Sequence, residues 1–70
     1  MGQVKSTMAG TVFKILVQAG EVVDAGREVV VLESMKMEIP IIAEREAKVK
    51  EVGVSVGDFI NEGDVLLELE

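Results

Sequence analysis

VFKILVQAGEVVDAGREVVVLE (residues 12–33) and VKEVGVSVGDFINEGDVLLELE (residues 49–70) are one pattern written twice, 37 residues apart. Val12 falls on Val49, Val17 on Val54, Gly20 on Gly57, Gly26 on Gly63, Leu32 on Leu69 and Glu33 on Glu70. Many of the remaining differences are mild, as between Ile15 and Val52, Glu21 and Asp58, or Val23 and Ile60. Paired glycines at the same spacing in both copies argue against chance similarity between valine-rich segments. Two units are too few for a solenoid, which needs three or more repeats to bury its faces. They read as two halves, 10–33 and 47–70, of a single domain over residues 1–70, related by an approximate two-fold axis.

Each half reads as strand. Thirteen valines and five isoleucines in 70 residues favour pleated structure, because β-branched side chains lose rotamers in a helix and fit a sheet. AGEVVDAG and VGDFINEG each set two turn signals around a short apolar pair, with glycine available for positive φ. No apolar stripe of helical period persists beyond two turns, so no helix is expected. The expected strands are 3–7, 11–17, 22–23, 28–34, 37–42, 46–54, 59–60 and 64–70. Within the sixth, Val52 and Val54, and Val56 just beyond it, should point to one side. Eight short antiparallel strands with one apolar face predict an all-β sandwich or flattened barrel.

Composition removes several classes of function. The chain has no cysteine and no histidine, so disulfides, the usual zinc frameworks and the Cys-His and Ser-His-Asp arrangements are all excluded. Carboxylates are plentiful, but their spacing singles out no catalytic pair, and they read as solvated surface charge. No catalytic residue and no metal ligand is assigned. A net charge of −6 and only two aromatics, Phe13 and Phe59, count against nucleic-acid binding. No apolar run approaches the roughly eighteen residues of a membrane span, and no signal-like segment begins the chain. A cytoplasmic monomer without membrane contact is the expectation, with the charge and the scarcity of exposed aromatics favouring the monomer.

Between the halves lies LESMKMEIP (32–40), with Lys36 flanked by Met35 and Met37. The spacing makes a tight hairpin with Lys36 at or beside its tip. A lysine in a turn is ordinarily just solvated charge. Here the two methionines cannot lie deep in the core, and exposed thioethers suit a surface that must accommodate a partner. The corresponding chemistry is acylation of the amine. A free lysine amine titrates at about 10.4 and is a poor nucleophile unaided, so the acyl group has to arrive activated, on a ligase.

ESMKME (33–38) resembles the E-A-M-K-M signature of biotin carboxyl carrier domains. The two flanking repeats resemble the half-repeats of the biotinyl/lipoyl-attachment fold, and TMAGTV (7–12) is similar to the family's P-M-P-G-x-V. The similarity covers nearly the whole chain, and the compact length suggests the short stand-alone attachment proteins. It implies a barrel-sandwich hybrid of two four-stranded antiparallel sheets with the modified lysine at an exposed turn. By position, Lys36 would take biotin covalently from a biotin protein ligase, with Met35 and Met37 read during modification. The attached ring would accept CO₂ at a biotin carboxylase site and deliver it at a carboxyltransferase site, with the domain catalysing neither step.

Ser34 replaces the usual alanine, and Ala47 stands where the family has glycine, at the position matching Gly10. If that glycine needs positive φ, Ala47 should be strained by about 1 kcal/mol. AEREA (43–47) lacks the family's common proline, and residues 10–33 leave no room for the protruding thumb of some carboxylase carriers. The rival readings are a lipoyl carrier of a 2-oxoacid dehydrogenase, whose lysine usually sits in D-K-A, an acceptor of both biotin and lipoate, an unmodified binding module, and a small enzyme.

Overall fold

The computed structural model describes residues 2–70; Met1, the first residue of the expected domain, lies outside them. The described residues form eight strands: β1 (Gly2–Lys5), β2 (Gly10–Ile15), β3 (Val22–Val23), β4 (Glu28–Ser34), β5 (Met37–Ile42), β6 (Ala47–Val52), β7 (Phe59–Ile60) and β8 (Val65–Leu69). They make two four-stranded antiparallel sheets, ordered β1-β8-β6-β3 and β5-β4-β2-β7. Val12, Val23, Val29, Val30, Leu32, Val49, Leu66 and Leu67 fill the space between them without exposure.

The 37-residue offset reappears in the backbone. Gly57 N donates to Val12 O as Gly20 N donates to Val49 O, and Val12 N donates to Asp58 O as Val49 N donates to Glu21 O. Both copies carry a register shift at the same place, between Val12 and Lys14 and between Val49 and Glu51. The short strands are exchanged: β3 pairs with β6 and β7 pairs with β2, so each half completes the other's sheet. Gly20, Gly26, Gly57 and Gly63, which bracket those strands, all have positive φ.

Several strand ends differ from expectation. The first strand stops at Lys5 rather than residue 7, because Ser6 leaves the ladder: its hydroxyl donates to Met8 O while its amide donates to Asp64 O. The second and sixth strands end at Ile15 and Val52, where Leu16 N and Gly53 N turn to Val29 O and Leu66 O. The last runs 65–69 rather than 64–70. Val52 and Val54 pack against the core as expected, but Val56 does not join them; the chain turns at Gly57 and leaves it exposed.

Candidate functional site

The β4–β5 ladder carries a projecting tip. It is in register from Glu28↔Ile42 to Ser34↔Met37, with one irregularity between Glu28 and Val30. The strands alternate at the outer end, so Leu32 is buried while Glu33 faces solvent beside Glu38, its cross-strand partner. Two residues remain for the turn, Met35 and Lys36, and both are left-handed, with φ of 52° and 65°. Positive φ at both central residues of a two-residue loop is the mark of a type I′ turn, whose twist matches that of the strands. Asn-Gly is the usual occupant. Methionine and lysine in these positions store roughly 1–2 kcal/mol each, which the long ladder behind them offsets.

This geometry leaves Lys36 on a short, stiff loop with its amine in water. Met35 is 92% exposed and Met37 64%. Neither methionine serves the core. A groove of about 460 Å³ does exist, between edge strands β1 and β5 over Val4, Ile41 and Leu69, but the tip residues take no part in it. The tip is convex and presents its side chains to solvent. Glu33 and Glu38 face each other with no ion pair to Lys36, an arrangement of like charges that weakens the ladder slightly.

The base of the hairpin is held from the side by Gly10, through a contact that the sequence alone does not disclose. A Cβ built on Gly10 would meet Glu33 O at 2.9 Å, so glycine lets β2 close against β4 just below the tip. Neither Gly10 nor Ala47 has positive φ, and the strain expected at Ala47 is absent. The constraint on Gly10 is space. The matching position in the second half is Ala47, where a methyl group is accommodated. The sequence gives no direct signal for this, since the clash is with a carbonyl 23 residues along the chain. Ser6, buried and bonded within the loop leading to Gly10, was likewise not visible as a supporting residue.

The family described as biotin-requiring enzyme matches residues 2–69. The chain is 61% identical over 62 residues to the biotin/lipoyl attachment protein of Bacillus subtilis (strain 168), covering 89% of this chain and 85% of that protein. It is 43% identical over 65 residues to the mitochondrial propionyl-CoA carboxylase alpha chain of Sus scrofa, covering 93% of this chain but spanning only 9% of that relative. Among solved structures, the lipoyl domain of the 2-oxoglutarate dehydrogenase complex from Azotobacter vinelandii superposes with a TM-score of 0.74 at 27% identity, over 89% of this chain and 78% of that one.

Proposed function

The chain belongs to the biotin-requiring enzyme family of biotin/lipoyl-attachment domains, and on that premise we propose that it is a non-catalytic biotin carboxyl carrier acylated at Lys36. The observation that carries this reading is the turn: a single lysine, fixed at the second position of a two-residue loop, between two methionines that no core claims. A biotin protein ligase supplies the acyl group in activated form. The neutral amine of Lys36 attacks the acyl carbonyl, the activating group leaves, one proton passes to solvent, and an amide remains. The lysine loses its charge and gains a long tether.

Once bound, biotin supplies a ring that takes up and gives up CO₂. The chain's residues do the rest by position. The type I′ turn fixes the direction in which the tether leaves, Met35 and Met37 offer soft apolar contacts to each partner, and the stiff ladder keeps the tip from folding back. With attachment at a convex tip, the carrier's contribution is the effective concentration of the group at a biotin carboxylase and then at a carboxyltransferase. A monomer with net charge −6 suits repeated docking and release.

Similarity to a lipoyl domain keeps lipoate as the second reading. Intact mass after incubation with biotin, ATP and a biotin protein ligase, beside a parallel reaction with lipoate and its ligase, separates the two. One biotinyl adduct on the peptide containing Lys36 is the expected result. A lipoyl adduct alone, or an adduct on another lysine, overturns the reading.

A further inference from the structure

The internal repeat supplies its own control, because one backbone corner occurs twice under two sets of side chains. Residues 18–27 around β3 and 55–64 around β7 share their turn hydrogen bonds: Glu21 N to Gln18 O matches Asp58 N to Ser55 O, and Arg27 N to Asp24 O matches Asp64 N to Asn61 O. Their surfaces diverge. Ala19, Val22 and Ala25 in the first corner become Val56, Phe59 and Glu62 in the second. Arg27 in the first closes an ion pair with Glu21 at 2.9 Å and donates to Leu16 O, so that corner largely neutralises itself. Its place in the second is taken by Asp64.

The first corner thus holds Glu21, Asp24 and Arg27, a net charge of −1; the second holds Asp58, Glu62 and Asp64 with no cation, a net charge of −3. In the midst of those carboxylates Phe59 is 66% exposed and Val56 63%. The fold does not need them, since the twin corner builds the same backbone with smaller side chains. An exposed aromatic and aliphatic pair that the scaffold can do without is surface kept for contact.

The location fits. Phe59 pairs with Thr11, and Thr11 with Glu33, so the β7 corner stands on the outer face of the hairpin's own sheet. Two strand spacings, about 10 Å, separate it from the base of the hairpin.

We propose that the β7 corner is the surface on which a biotin carboxylase seats while it receives the arm of Lys36, with Phe59 entering an apolar pocket rimmed by lysine or arginine. The proposal rests on the carrier reading above. Charge complementarity selects the partner. A cleft that must gather bicarbonate gains from positive potential at its mouth, and residues 51–70 of this chain carry six acids and no cation to meet it. A buried aromatic anchor supplies affinity and the surrounding carboxylates supply steering.

The test uses the unmodified, ¹⁵N-labelled chain titrated with the biotin carboxylase of the same genome. Resonances of residues 56–62 and Thr11 are expected to shift or broaden together with those of the hairpin. Phe59→Val with Glu62→Ala, which installs the twin corner's side chains, is expected to weaken binding about tenfold. Val22→Ala, in the twin corner, is expected to leave it unchanged. Perturbation centred on the β3 corner, a Kd that the double variant moves less than about twofold, or no binding at all overturns the proposal. Intact mass of the wild-type chain after ligase treatment runs in parallel. No biotin adduct overturns the carrier reading and this proposal with it; an adduct with unaltered binding overturns the docking surface alone.

Discussion

Gly10 and Glu33 are locked together: a methyl group on Gly10 would come within 2.9 Å of the Glu33 carbonyl oxygen, three residues before Lys36. A residue far from the hairpin in sequence therefore sets how closely β2 supports it.

Gly10→Ala is expected to destabilise the chain by about 1–3 kcal/mol, because the carbonyl it meets belongs to the middle of the sheet and cannot move freely. Ala47→Gly, at the equivalent place in the other half, should cost only about 0.5–1 kcal/mol, through the greater freedom of glycine in the unfolded chain. Urea titrations of the two variants check the contrast. Equal losses would show that the two sites are sterically alike.

At the tip, stability and function are opposed. Met35→Asn should raise stability by about 0.5–1 kcal/mol, since asparagine tolerates the left-handed region better than methionine. The same change should slow biotin attachment at fixed ligase, as followed by mass. A variant that is both more stable and modified as fast would show that Met35 is not read by the ligase.

Lys36→Arg and Lys36→Ala should leave the denaturation midpoint close to that of the wild type, because the side chain is exposed and unpaired, while biotin attachment disappears. Labelling that survives in either variant would move the attachment site elsewhere.

Leu32 lies fully buried in β4, whereas its twin Leu69 in β8 is 7% exposed. Leu32→Ala should cost about 2–5 kcal/mol, a large share of the roughly 4–10 kcal/mol expected of 70 residues. Leu69→Ala should cost less, its cavity opening toward solvent. Guanidinium midpoints give the comparison.

The Arg27–Glu21 ion pair is partly exposed. Arg27→Ala should cost less than about 1 kcal/mol, and the loss should shrink at high salt as screening removes the attraction. A larger loss that ignores salt would point to the Arg27 bond to Leu16 O as the significant contact.

Much of this was legible in the sequence because its signals are local. The repeated glycines mark positive-φ turns at Gly20, Gly26, Gly57 and Gly63, and the valine-rich runs between them mark strands. The position of Lys36 at a hairpin tip followed from the short distance between two apolar runs. The type of turn did not, since Met35 and Lys36 lack the Asn-Gly signal that usually announces two left-handed residues. Nor could Val22–Val23 and Phe59–Ile60 show which sheet each joins, because two residues carry almost no register information. Val56 reads as the continuation of the Val52 and Val54 row, and only the structure turns it outward. Gly10 owes its importance to a distant carbonyl, which no local pattern encodes.

The exchange of β3 and β7 has a consequence for how such a chain can arise and fold. Each half supplies the strand the other lacks, the same patch meeting its mate across a two-fold axis, as protomers do in an isologous dimer. The protein is in that sense a dimer fused end to end. A single half-repeat, made alone, has an unfilled edge that only another copy can close. Fusion frees assembly from dependence on concentration, and it also lets the two halves diverge, as the side chains around β3 and β7 have done on one shared backbone.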